Sequence, residues 1–123
     1  MILNSTQVAN YLYNAGFRGV NLSAAVKICY CESSFNTKAH NTSGEDSRGL
    51  MQINVNAHPH YGGRNLFDPQ INCNTAYEIF TQSGKNFKPW TCARTLNLVN
   101  PTEIYFGMAI AFIGIALYIS IAQ

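Results

Sequence analysis

The stretch CYCESSFNTKAHNTSGEDSRGLMQIN, residues 29–54, organises the rest of the chain. It carries one carboxylate, Glu32, in what we predict to be the last turn of a helix, because short polar residues follow it and compete for backbone hydrogen bonds. A turn-rich passage comes next, and then an apolar–polar run that holds Gln52 and Asn54. A partly buried carboxylate at the negative end of a helix dipole is disfavoured as an anion. We therefore expect a raised pKa for Glu32 and assign it the chemistry.

Hydrophobic periodicity predicts a small, mainly helical domain around this stretch. Its length of 123 residues suits one domain, and it contains no internal repeat. The predicted elements are a helix over about 6–14 capped by Asn4 or Ser5, a helix capped by Asn21 or Ser23 that fades over 33–36, a strand or extended segment over 49–55, and a helix from Asp68 to about Gln82.

Charged residues are few in this chain, and its net charge argues against a nucleic-acid partner. Charged residues make up 11% of the sequence and hydrophobic residues 47%. The net charge of +2 would mildly favour an anionic surface such as a cell wall, but it is too small to indicate nucleic acid. We expect no nucleic-acid partner.

The C-terminal stretch IYFGMAIAFIGIALYISIA, residues 104–122, contains no charged residue. As a helix rising about 1.5 Å per residue it would span most of a bilayer core of about 30 Å. The alternative is a core helix of the globular domain. We predict a domain over 1–95, a linker over 96–103 and a transmembrane helix over 104–122, with the lipid membrane as a partner. The N-terminus has no basic region or long apolar core, so we expect no secretory signal.

The cysteines allow either disulfides or buried thiols. The four are Cys29, Cys31, Cys73 and Cys92. Cys29 and Cys31 are two apart on a predicted helix and should not pair with each other, so if disulfides form, each should reach a different downstream partner, Cys73 or Cys92. No CxxC pair is present, and His58 and His60 are interpreted as loop residues. We expect no metal and no other cofactor.

Three blocks carry a resemblance to a known family: ESSFN at 32–36, GLMQIN at 49–54 and NLFDPQIN at 65–72. In this order they resemble the lysozyme-like superfamily, and within it the phage or bacterial lytic transglycosylase (SLT-type) branch. Animal lysozymes are similar over the first two blocks. The resemblance covers roughly residues 16–92 and implies a mainly α, α+β lysozyme-like fold.

The resemblance implies cleavage of the β-1,4 bond between N-acetylmuramic acid and N-acetylglucosamine in peptidoglycan. Glu32 would be the general acid. In a transglycosylase the same residue then takes a proton from the sugar's 6-hydroxyl, whereas a hydrolase uses a second carboxylate. Ser47 falls where animal lysozymes carry an aspartate, which leaves Asp46, or Glu45 beside it, as the possible second carboxylate. This difference favours the transglycosylase.

The other site residues also follow from the resemblance. Gln52 and Met51 would line the groove, with Gln52 bonded to the sugar, and Ser33 would orient Glu32. Trp90 could stack on a sugar face or fill the core. The predicted substrate-binding residues are Ser33, Met51, Gln52, Asn54 and Trp90.

The expected protein is thus a membrane-anchored, peptidoglycan-cleaving enzyme used by a phage to breach the cell wall during entry. It would reside in the virion membrane, or otherwise in the bacterial envelope, with other virion or envelope proteins as possible partners. Two alternatives stay open. One is a hydrolytic muramidase, and the other is a membrane-anchored structural or glycan-binding protein without activity.

Overall fold

Helices and one small sheet surround the residues of the first two blocks in the computed structural model, which describes residues 1–101. The helices of this part are α1 (Ser5–Ala15), α2 (Gly19–Ser33), α3 (Pro69–Gln82) and α4 (Thr91–Thr95), with a single 3-10 turn at Pro59–Tyr61. The strands are β1 (His40–Asn41), β2 (Ser47–Arg48) and β3 (Ile53–Asn54), antiparallel in that order. The mainly helical α+β prediction is confirmed for these residues.

Two helices start at the caps that the sequence predicts. At α1 the Asn4 side chain accepts the Gln7 N–H at 2.9 Å, and the Gln7 side chain accepts the Asn4 N–H at 2.9 Å. At α3 the Asp68 side chain accepts the Ile71 N–H at 2.9 Å, directly before Pro69. Both arrangements satisfy backbone donors that would otherwise have no partner in the first turn.

The predicted start of α2 is wrong by three residues or more. The helix begins at Gly19, after Arg18, whose carbonyl accepts the N–H groups of Asn21 and Leu22. Arg18 provides no side-chain cap, so the usual N-cap signal is missing from the sequence. The C-terminal end agrees with the prediction. Ser34 takes a left-handed conformation, and its N–H donates to the Tyr30 carbonyl.

The predicted strand over 49–55 is mostly wrong. Only Ile53 and Asn54 pair as a strand, opposite Arg48 and Ser47. The preceding residues form turns, with positive φ at Gly49 and at Gln52. The side chain of Asn72 in α3 accepts the Met51 N–H and holds this turn in place of strand–strand hydrogen bonds.

The core lies between α1, α2 and α3 and is closed by aromatic rings. Phe17 packs on Tyr77, Phe80 and Phe87, with ring centroids 5.0, 5.1 and 5.8 Å away. Trp90 extends this cluster towards the 49–52 turn. The aromatic cluster therefore joins Phe17, near the start of the chain, to rings of α3 and of the segment that follows it.

Residues 96–101 return to the domain, because the Leu98 N–H donates to Ala93 and the Phe87 N–H donates to Val99. No helix within residues 1–101 is long and apolar enough to cross a membrane. The predicted membrane span over 104–122, and the last residues of the predicted linker, lie outside the described residues.

Candidate active site

Glu32 lies in the last turn of α2, half-buried, where α4 approaches it. One of its carboxylate oxygens accepts the Cys92 N–H at 3.3 Å. Burial raises the pKa of Glu32 above its ordinary value, the Cys92 N–H opposes that rise, and the negative charge of Glu45 adds to it. Arg94 lowers the pKa by the smallest of these effects. The direction agrees with the prediction, and a carboxyl group of this kind is suited to hold a proton for general acid catalysis.

A disulfide joins the residue before Glu32 to the residue that donates to it. Cys31 and Cys92 are bonded, with Cα atoms 6.0 Å apart and a sequence separation of 61. Cys29 and Cys73 are buried thiols. The prediction that Cys31 would pair downstream is confirmed, whereas Cys29 follows the thiol alternative. Burial raises the pKa of the Cys29 thiol to about 12, which keeps it protonated and unreactive.

Asp46 is held in a structural ion pair. Both of its oxygens accept hydrogen bonds from Arg48, at 2.9 and 2.7 Å, and one also contacts Nε2 of His40 at 2.8 Å. The Arg48 hydrogen bonds, followed by the His40 contact, hold the pKa of Asp46 well below its usual range. The carboxylate therefore ties β1 to β2, an arrangement that does not favour its predicted role as a free second carboxylate.

Glu45 is the neighbouring acid whose charge acts on Glu32. It lies in the turn between β1 and β2, half-exposed, and accepts a hydrogen bond from the Asn41 side-chain amide. Ser47, at the position where an aspartate was expected by resemblance, is buried in β2 with 3% exposure. Within residues 1–101, the structure thus favours Glu45 over Asp46 as a second acidic group.

Two predicted sugar contacts do not fit their positions. Met51 is completely buried, and its side chain has no surface to offer a ligand. Trp90 is 4% exposed, and its indole N–H donates to the Met51 carbonyl at 2.8 Å. A buried ring with its polar atom already bonded is a core residue, so the core alternative for Trp90 holds and sugar stacking does not.

The other two predicted sugar-binding side chains, Gln52 and Asn54, already make hydrogen bonds within the protein. The Gln52 side-chain amide nitrogen donates to Ala39 and Gly49, at 3.1 and 3.0 Å. The Asn54 side-chain oxygen accepts the N–H groups of Asp46 and Asn56. Gln52 and Asn54 remain half-exposed at the sheet.

Ser33 does not contact the Glu32 side chain. Its hydroxyl is buried and donates to the Cys29 carbonyl at 3.1 Å, one helical turn back. The predicted orienting role for Ser33 is therefore not supported by its hydrogen bond. The group that does contact Glu32 is the Cys92 backbone, which sequence reasoning missed because it lies 60 residues away.

Asn72 is a second residue whose role sequence reasoning missed. Its side-chain oxygen accepts the Met51 N–H, and its side-chain nitrogen donates to Arg48 and Leu66, each at 2.8 Å. Asn72 is completely buried in α3. The available signal was its position four residues before Ala76 on the apolar face of that helix, where an amide requires buried partners.

Within residues 1–101, no group of three histidine, cysteine or acidic side chains is arranged to hold a metal ion. His58 and His60 instead lie beside the ring of Tyr61.

Comparison with known proteins gives a family over most of the folded region. A family model described as a lysozyme-like domain matches residues 9–92, which is more than half of the chain. Neither a search of curated proteins nor a search of solved structures returned a match. The matched range contains Glu32, the sheet and α3, together with the Cys92 backbone that contacts the carboxylate. The chain therefore belongs to the lysozyme-like domain family.

Proposed function

We propose that this protein is a peptidoglycan lytic transglycosylase that cleaves the β-1,4 bond between N-acetylmuramic acid and N-acetylglucosamine. The observation that carries the proposal is Glu32, half-buried with a raised pKa and held by the Cys92 N–H. Membership of the lysozyme-like family suggests a peptidoglycan-acting glycosidase in general. The transglycosylase is favoured because Asp46, the predicted second carboxylate, is already bonded to Arg48 and His40.

In the proposed reaction, protonated Glu32 donates its proton to the glycosidic oxygen while the bond from that oxygen to C1 breaks. The Glu32 carboxylate then accepts the proton of the 6-hydroxyl of the same sugar. The oxygen of that hydroxyl attacks C1 and closes a 1,6-anhydro ring. Water is not consumed, and Glu32 ends in its starting protonation state.

Gln52 and Asn54 are proposed to contact the glycan from the sheet. The Gln52 amide nitrogen is committed to Ala39 and Gly49, so the amide oxygen is the group we assign to a sugar hydroxyl. Ser33, Met51 and Trp90 are left out of this assignment because all three are buried.

The decisive experiment identifies the new chain ends made from purified peptidoglycan by mass spectrometry. Wild type should release 1,6-anhydro ends, and Glu32→Gln should release none. Reducing ends from wild type would reject the transglycosylase in favour of a muramidase. No cleavage by either protein would favour the non-catalytic glycan-binding alternative, and equal cleavage by both would exclude Glu32 as the catalyst.

A muramidase is the second candidate, and one observation supports it. The negative charge of Glu45 contributes to the raised pKa of Glu32, and the two carboxylates lie in different environments. If the products have reducing ends, Glu45→Gln should lower kcat by about 100-fold or more, within the usual range for a catalytic acid or base. Asp46→Asn is the matched comparison, since the two residues are adjacent but Asp46 is bonded to Arg48.

We further propose that residues 104–122 anchor the enzyme in a membrane, and that it serves a phage during entry, in the virion membrane, or else works in the bacterial envelope. The support is the run of 19 residues without charge. In liposome flotation, the full chain should float with lipid and a chain of residues 1–103 should stay at the bottom. Equal behaviour of the two chains would reject the anchor.

A further inference from the structure

One covalent bond lies directly beside the contacts of Glu32. Cys31 precedes Glu32 in the sequence, and its sulfur is bonded to the sulfur of Cys92. The N–H of the same Cys92 donates to the Glu32 carboxylate at 3.3 Å. The disulfide and the hydrogen bond thus connect the same two short segments, one from the end of α2 and the other from the start of α4.

Besides the disulfide, α4 is attached through Trp90 before it and through the segment 96–101 after it, whose Leu98 N–H donates to the Ala93 carbonyl. The helix has five residues, and its last residue, Thr95, and the following Leu96 are exposed. Its principal buried attachments are Ala93 and the preceding Trp90, whose indole N–H donates to Met51 on the 49–52 turn rather than to α2. A five-residue helix is not stable by itself, so its position depends on such tertiary contacts.

The disulfide is also the single reducible bond of the protein. The chain has four cysteines, and the other two, Cys29 and Cys73, are buried thiols. Thiol–disulfide exchange needs a thiolate, and the Cys29 thiol is two residues from Cys31 but protonated. An added reductant therefore acts on one defined bond, without exchange from Cys29.

We infer that the Cys31–Cys92 disulfide positions Glu32 for catalysis, so that the oxidised protein is the active form and the reduced protein is latent. This inference rests on the proposed function. A dithiol such as dithiothreitol would cleave the sulfur–sulfur bond, delivering two electrons and two protons to give two thiols while it forms its own cyclic disulfide. The enzyme would then be inactive in a reducing cytosol and active in an oxidising compartment, where such bonds persist.

The test measures kcat, KM and pH dependence of the full chain before and after reduction. Reduction should lower kcat by roughly 10- to 100-fold, the loss expected from a displaced catalytic group, with little change in KM. Burial is the main cause of the raised pKa of Glu32, ahead of the charges of Glu45 and Arg94. Loosening α4 would remove both this burial and the Cys92 hydrogen bond, which by itself lowers the pKa. Because burial is the larger of these two effects, the basic limb of the pH–rate profile should move to lower pH. Reoxidation should restore both quantities.

Near-UV circular dichroism at the assay temperature separates this effect from unfolding. The variant Cys31→Ser/Cys92→Ser should match the reduced wild type and should not respond to dithiothreitol. If it does not fold, Cys31→Ala/Cys92→Val, which keeps the apolar volume, takes its place. A folded reduced protein with the kcat and pH profile of the oxidised form would overturn the inference.

Glu32→Gln separates this inference from the proposed function. If that variant cleaves as well as wild type, the proposed function fails. If Glu32→Gln is inactive while wild type cleaves equally well in both redox states, only the role of the disulfide fails.

Discussion

Asn72→Ala should strongly destabilise this protein, although Asn72 is not one of the predicted substrate-binding residues. The residue is completely buried, and its amide joins α3 to the turn that precedes β3. Removal of the amide takes away the partner of the Met51 N–H and one hydrogen bond from each of the carbonyls of Arg48 and Leu66.

The size of the effect follows from these three bonds. A buried donor left unpaired costs about 1–3 kcal/mol and each lost hydrogen bond about 0.5–1.5 kcal/mol, so the three bonds together contribute about 2–6 kcal/mol. Domains of this size are stable by about 5–15 kcal/mol, so the variant would be close to unfolding. Asn72→Asp should be no better at neutral pH, because it would place a carboxylate oxygen against two carbonyl oxygens.

Urea unfolding measures this directly. Trp90 is the single tryptophan and is buried, so its fluorescence reports the transition. The matched control is Asn74→Ala on the same helix, where an exposed Asn74 accepts a hydrogen bond from Gln70. The control should change stability by about 0.5 kcal/mol or less. A loss below about 1 kcal/mol for Asn72→Ala, or an equal loss in the control, would refute the reasoning.

Two further substitutions test the site. The pKa of Glu32 is raised in the folded state, mainly by burial. Between its ordinary and its folded pKa, the folded state binds more protons than the unfolded chain, so the free energy of unfolding falls as pH rises through that window. Glu32→Gln removes this loss and should be more stable than wild type at neutral pH in thermal unfolding, with the two converging in acid; the opposite order would contradict the pKa direction. Gly49 has φ +74°, and an added Cβ would lie 2.1 Å from the Leu66 carbonyl oxygen, so Gly49→Ala should cost about 3 kcal/mol or more. Gly44→Ala, at φ +78° with no atom nearby, should cost only about 1–2 kcal/mol in urea unfolding, and equal losses would exclude the steric cause.

Local signals in the sequence were sufficient where the interacting residues are neighbours. Asn4 and Asp68 cap helices through contacts three residues away, and both starts were predictable. The start of α2 was not, because Arg18 contributes only its carbonyl. The 49–52 turn was mistaken for a strand because Asn72, 21 residues after Met51, provides the hydrogen bond that holds it.

The candidate site divides in the same way. Sequence alone determined that Glu32 ends a helix and is followed by a GLMQIN block, and it predicted the direction of the pKa shift from burial. Only the tertiary structure decided which groups surround that carboxylate. The Cys92 N–H that donates to Glu32 lies 60 residues further along the chain. Asp46 is bonded to Arg48 and His40, and Met51 is buried in the core. Helix caps and dipoles act within one turn of the chain, whereas burial and long-range hydrogen bonds depend on which distant segments pack together.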